Sequence, residues 1–209
     1  MIRFTSLLMA RSTKWVAPAI LTALWTLLVM SGGTETAVSR SGGMLFCYVI
    51  VGLWLTIMIG NVDDDAHREL VTAVVGSRSR LHLWRALTSL LWVGGYAVAL
   101  TLGSLLIHRH THSLLVETTG ALGLALSGAL LGVGLGTPLH RPIVRNQSTS
   151  LVVGIGLAGL LIVLSPMQQV VKRASNNDVV LVPRVLGVSL VLAFLSAIVS
   201  GIAATHRRT

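Results

Sequence analysis

The chain has 209 residues, of which 53% are hydrophobic and only 11% are charged. Soluble domains carry about 25% charged residues, so this composition excludes an ordinary soluble enzyme. The high apolar content and the presence of only 5 prolines also exclude a disordered chain. The net charge is +9. In such an apolar chain, an excess of cations typically lies in the loops and sets the membrane topology. The sequence contains no polar domain that would bind nucleic acid.

Six apolar segments are candidate transmembrane helices, because a helix needs about 20 mostly apolar residues to cross a bilayer. They span residues 15–30, 44–60, 86–107, 114–136, 151–165 and 185–204. The predicted fold is therefore an all-α integral membrane protein, with one transmembrane domain over residues 1–209.

The distribution of cations predicts the orientation of these helices. If the N-terminus lies in the cytoplasm, most of the 16 Lys and Arg residues fall on the cytoplasmic side. The opposite orientation reverses this bias and contradicts the positive-inside rule. We therefore predict a multi-pass protein of the plasma membrane with both termini in the cytoplasm.

The predicted fourth helix contains glycines four residues apart, at Gly128, Gly132 and Gly136. Residues at this spacing share one face of a helix, and small residues there allow another helix to approach closely. The pattern predicts that this helix packs at the centre of the bundle.

The connection between predicted helices two and three, residues 61–85, is the most informative part of the sequence. Asp65 is suited to an N-cap, and Gly76 can end the helix that follows. The apolar positions recur at helical spacing, and arginines follow beside the membrane. These positions are Ala66, Leu70, Ala73 and Val74, and the arginines are Arg78, Arg80 and Arg85. This pattern predicts an amphipathic helix on the cytoplasmic membrane surface.

Two functions and a purely structural role are open for this helix. It can dock a cytoplasmic partner, or Asp63, Asp64 and Asp65 can bind Mg²⁺ and a diphosphate as in intramembrane prenyltransferases. The second function lacks a second acidic cluster, because Glu35, Glu117 and Asp178 fall on the predicted outer side. A capped helix in a solvated loop has the same sequence pattern without any partner.

Together with the predicted topology, residues 68–70 (Arg-Glu-Leu) and 76–78 (Gly-Ser-Arg) resemble the permease subunit of type-2 ABC exporters. The resemblance implies that this segment is a coupling helix held in a cleft of an ATPase subunit. Arg68, Glu69, Leu70, Arg78 and Arg80 are the implied coupling residues. It further implies two ATPase subunits per transporter and a second permease, either an identical copy or a homologue.

Nucleotide chemistry is assigned to that partner because this chain has only two lysines, Lys14 and Lys172, and neither follows a glycine. A phosphate-binding Gly-Lys-Ser/Thr loop is therefore excluded. ATP and Mg²⁺ are expected in the partner ATPase, with no cofactor and no catalytic residue in this chain.

Several other residues are candidates for function. Trp25, Trp54 and Trp92 can line an apolar substrate pathway or simply contact lipid and other helices. Glu117 is a fourth candidate for the substrate pathway. It is the one acidic residue within a predicted span, where acidic groups are costly and often functional.

Three alternating histidines, His108, His110 and His112, can share a Zn²⁺ ion or form a polar turn. The polar turn is favoured because a fourth ligand is not evident, so no metal site is predicted.

The function that we predict is a permease of an ATP-driven transporter that exports a hydrophobic or amphipathic compound such as a lipid, a drug or a peptide. The alternatives are a non-transporting membrane subunit that anchors or assembles a larger complex, and an intramembrane enzyme that uses Asp63–Asp65.

Overall fold

A computed structural model describes residues 2–30, 37–61, 71–74, 76–107, 114–139, 146–164 and 181–206. Every regular element within these residues is helical, which confirms the all-α prediction. The α-helices are α1 (Ile2–Arg11), α2 (Val16–Met30), α3 (Ala37–Gly60), α4 (Arg78–Ile107), α5 (Leu114–Gly136), α6 (Gln147–Leu164) and α7 (Leu181–His206). Short 3₁₀ turns at Thr13–Trp15 and Thr137–Leu139 precede α2 and follow α5.

Four of these helices are long and apolar enough to cross a membrane. The qualifying segments are Gly42–Gly60 in α3, Arg80–Gly103 in α4, Glu117–Leu139 at α5 and Val182–Ser200 in α7. They coincide with the second, third, fourth and sixth predicted spans. The sequence-based expectation of several membrane-spanning helices is confirmed to this extent.

The other two predicted spans differ from the expected form. The helix α2 has only 15 residues, and it is long enough for a span only together with α1, from which it is bent by 75°. The apolar part of α6, Ser148–Leu160, is also shorter than a full crossing. The prediction of six spans therefore stays a prediction, and α1 is a helix that the sequence analysis did not predict.

The centre of the bundle is the contact between α3 and α5, as the glycine spacing predicts. A Cβ atom on Gly128 would lie 2.9 Å from the Tyr48 Cβ, and one on Gly136 would lie 2.7 Å from the Thr56 Cβ. A Cβ atom on Gly132 would lie 2.8 Å from the backbone nitrogen of Leu53. Glycine is therefore what allows the two backbones to meet.

Two further helices are joined to this pair by hydroxyl groups. The Tyr48 hydroxyl of α3 lies 3.3 Å from Thr101 Oγ1 of α4. At the other end of the bundle, Thr137 Oγ1 lies 2.8 Å from Ser196 Oγ of α7, and Ser196 donates to the carbonyl of Gly134. Since hydroxyl contacts of this kind connect helices inside a membrane, they hold α4 and α7 against the central pair.

The helix α7 keeps most of its apolar surface exposed. Only 17% of its candidate span is buried, against 78% of the span in α3. Phe194 and Val199 are among its exposed apolar side chains. Such a surface suits contact with lipid chains, so the core of the protein lies at α3 and α5, and α7 lies at its edge.

Candidate coupling site

The predicted coupling segment, residues 61–85, begins after α3 and ends inside α4, which already starts at Arg78. Arg68, Glu69 and Leu70 lie outside the described residues, as do Asp63–Asp65. Residues 71–74 are helical. The amphipathic helix predicted around them, here called the connecting helix, is therefore described only in its last turn, residues 71–74.

Gly76 ends this last turn as the sequence predicts. Its φ angle is 75°, in the left-handed region, and its N–H donates to the Thr72 carbonyl at 2.9 Å. This is the αL capping geometry that glycine adopts without steric cost. The segment therefore turns sharply at Gly76 before α4 begins.

Replacing Gly76 with alanine is expected to destabilise this turn by about 1 kcal/mol, because an L side chain is strained at positive φ. Within the part of the chain that the structure describes, no neighbouring atom lies within 4 Å of a Cβ built at Gly76, so the cost comes from the backbone. Gly76→Asn is the matched control, since asparagine tolerates this conformation. Hydrogen exchange of residues 71–74 measures the effect, and equal exchange in the two variants would contradict it.

Beyond Gly76, the stretch that precedes the predicted third span is a rigid extension of that span. The Leu81 N–H donates to the Ser77 carbonyl at 3.2 Å, and α4 then runs without a break for 30 residues. Arg78 and Arg80 lie in its first turn, and the Arg80 side chain is exposed. The structure thus places two predicted coupling residues on the end of a helix that continues into the bundle.

The last turn of the connecting helix presents an apolar side chain to the outside. Val74 is 87% exposed, and the neighbouring Ala73 is also exposed. Val71 and Thr72 are half-buried. The face that carries Ala73 and Val74 is therefore not covered by the described part of the protein.

Arg85, which the sequence places beside the membrane at the end of the connection, makes a contact that the sequence pattern does not predict. Arg85 is only 5% exposed, and its Nη1 donates to the Gly60 carbonyl at 3.4 Å. Gly60 is the last residue of α3, so this bond joins the two helices between which the connection runs. His82, one helical turn earlier on α4, is also buried. The helical spacing of His82, Arg85 and Ser89 in an apolar stretch is the signal that identifies this polar face.

The three candidate pathway tryptophans pack around one core. Trp25, Trp54 and Trp92 all contact the buried cluster that includes Tyr48 and Val51. The Trp25 indole donates to the Gly43 carbonyl at 3.2 Å, and the Trp92 indole donates to Ser6 Oγ at 3.1 Å. These bonds join neighbouring helices, so Trp25 and Trp92 have a structural role, and a pathway role stays a prediction.

Glu117 lies in the first turn of α5 and is only 4% exposed. A carboxylate in the first turn of a helix is favoured by the helix dipole. The three candidate metal-binding histidines, His108, His110 and His112, lie outside the described residues. Among the described residues, three or more His, Cys, Asp or Glu side chains do not come together in a group that could hold a metal ion.

Comparison with known proteins leaves the chain without an assigned family, since no family model, curated protein or solved structure matches it.

Proposed function

We propose that the chain is the membrane-spanning permease subunit of an ATP-driven transporter, in which separate ATPase subunits bind ATP and Mg²⁺. The observation that carries the proposal is the exposed Val74. This apolar side chain lies on a short helix that is joined by the Gly76 turn directly to the rigid start of α4. A partner that grips the helix would therefore act on α4.

The mechanism follows from the rigidity of α4. Arg78 and Arg80 lie at the end of a 30-residue helix whose later turns pack in the bundle. When an ATPase subunit pushes residues 68–75, the Gly76 turn transmits the movement to the start of α4, and α4 tilts. The tilt opens the bundle to one side of the membrane and then to the other, which is alternating access.

The rest of the proposal concerns assembly and location. The subunit lies in the plasma membrane with six spans and cytoplasmic termini. It works with two ATPase subunits and a second permease, identical or homologous. The apolar helices favour export of a hydrophobic or amphipathic substrate such as a lipid, a drug or a peptide.

Affinity purification of the tagged chain in a mild detergent, followed by mass spectrometry and an ATPase assay, tests this function. We expect an ATPase subunit to co-purify and Val74→Asp to reduce its recovery at least about tenfold, because a buried unpaired carboxylate is costly in an interface. Asn146→Asp is the matched control. Asn146 is exposed, and its Oδ1 caps α6 by accepting from the Ser148 N–H at 3.1 Å, a role that aspartate also fills.

Two outcomes would contradict the proposal. Recovery of the chain alone, or with partners that do not hydrolyse ATP, favours a subunit that anchors or assembles a larger complex. Equal loss of the ATPase in Val74→Asp and Asn146→Asp would show that added negative charge, and not the apolar contact at Val74, weakens the complex.

A further inference from the structure

The N-terminal helix α1 carries two arginines and two large apolar side chains on one exposed face. Arg3, Leu7 and Arg11 are four residues apart, so they form one stripe along the helix. Phe4 lies beside this stripe. Phe4 is 41% exposed and Leu7 is 55% exposed, and both arginines are exposed.

The opposite face of α1 is fixed to the bundle. Met9 is fully buried and Thr5 is 8% exposed. Ser6 Oγ accepts a hydrogen bond from the Trp92 indole of α4 at 3.1 Å. The helix is thus held in one orientation, with Leu7 exposed on the opposite face and Phe4 partly exposed beside it.

The position of Trp92 along α4 indicates how deep in the membrane its contact with Ser6 lies. Arg85 bonds to the last residue of α3 and so marks the level at which that span ends. Trp92 lies seven residues further along α4, about 10 Å deeper at 1.5 Å per residue. Helical side chains lean toward the N-terminus, so the indole reaches back toward the Arg85 level. Amphipathic helices at membrane surfaces lie about 5–10 Å into the boundary between headgroups and acyl chains.

We propose that α1 is an interfacial helix that binds anionic phospholipid. Phe4 and Leu7 enter the upper acyl region, and the Arg3 and Arg11 guanidinium groups reach the lipid phosphates at either end of the apolar pair. Arginine can do this because its aliphatic stem tolerates apolar surroundings while its charged group reaches the polar layer. The bend of 75° between α1 and α2 lets α1 lie along the surface while α2 enters the membrane.

Depth-dependent fluorescence quenching tests the proposal and does not depend on any ATPase. The full chain with Cys47→Ala and Leu7→Cys is labelled with an environment-sensitive fluorophore. It is then reconstituted into vesicles of phosphatidylcholine, alone or with phosphatidylglycerol. Matched sites are Asn146→Cys, which is exposed near the start of α6, and Phe194→Cys, which is 65% exposed in the middle of α7.

We expect lipids spin-labelled near the headgroup to quench the Leu7 site at least about twofold more than lipids labelled deep in the acyl chain. At equal total label, a headgroup spin label carried on phosphatidylglycerol should quench the Leu7 site more than the same label carried on phosphatidylcholine, because the arginines enrich anionic lipid beside α1. Arg3→Gln with Arg11→Gln should remove this difference. Phe4→Cys, on the same face, gives the same comparison if the Leu7 variant does not fold.

Three results would overturn the proposal. Quenching of the Leu7 site by aqueous iodide to the level of Asn146 would place α1 in water. Quenching by the deep label to the level of Phe194 would make α1 part of a membrane crossing. Equal quenching by labelled phosphatidylglycerol and labelled phosphatidylcholine would show that the arginines do not bind anionic lipid.

Discussion

Replacing Gly132 with alanine is expected to lower the free energy of unfolding by about 2–3 kcal/mol, near the upper end of the usual cost of overpacking a core. The new methyl group would lie 2.8 Å from the Leu53 nitrogen and 2.9 Å from the Gly52 Cα, and closer still to the Val49 carbonyl oxygen. All three are backbone atoms of α3, so a change of side-chain rotamer cannot relieve the clash. The central helices must separate instead.

Gly95→Ala in α4 is the matched control, because no atom of the described residues lies within 4 Å of a Cβ built there. Alanine in place of an exposed helical glycine is neutral or stabilising by up to about 1 kcal/mol. Unfolding by sodium dodecyl sulfate in mixed micelles, followed by tryptophan fluorescence, measures both variants. Equal stability of Gly132→Ala and the parent protein would show that α3 and α5 do not meet as closely as the structure indicates.

The central position of α5 could be predicted because the signal is local. Glycines four residues apart make a smooth helix face whatever the rest of the chain does. The identity of the partner could not be predicted in the same way. Gly52 of α3 lies opposite Gly132, and a Cβ on Gly52 would be 3.0 Å from the Ala129 carbonyl oxygen. Gly52 has no other glycine three or four residues away on α3, so it makes no local repeat, and this pairing emerges only from the tertiary structure.

The position of the helix α1, in contrast, could not be predicted from a local signal. Its ten residues include two arginines, so a search for about 20 apolar residues does not detect it. Its amphipathic character is visible in the sequence, but the contact between Ser6 and Trp92 joins residues 86 positions apart. A contact of this kind depends on how α4 is placed, and local spacing contains no information about it.

The candidate coupling site also has one feature that could be predicted from the sequence and one that could not. The sequence predicts that Gly76 ends the connecting helix, because glycine has a known capping conformation, and its φ of 75° agrees with this. Counting cations treats Arg80 and Arg85 alike, although Arg80 is exposed and Arg85 is buried against the end of α3. A cation count contains no information on burial, so the distinction requires the structure.

Arg85→Gln is expected to lower the free energy of unfolding by about 1.5–3 kcal/mol, the range for hydrogen bonds to charged groups. The Arg85 guanidinium donates to the carbonyl of Gly60, the last residue of α3. Carbonyls at the end of a helix commonly accept hydrogen bonds from groups outside that helix. A cation at this helix end is further favoured by the helix dipole. Glutamine keeps much of the side-chain volume and loses the charge. Arg85→Lys keeps the charge and is expected to lose less than half as much stability.

Arg80→Gln is the control that separates this role from membrane topology. It removes one cation from the same end of the same helix, and its side chain is exposed, so a change within about 0.5 kcal/mol is expected. Both variants alter the positive-inside balance equally. Unfolding in mixed micelles measures stability. The orientation is measured by labelling a cysteine introduced as Asn146→Cys, with Cys47→Ala, from each side of sealed vesicles. If Arg80→Gln and Arg85→Gln lose equal stability, or if both invert the protein, Arg85 acts through its charge on topology and does not join α3 to α4.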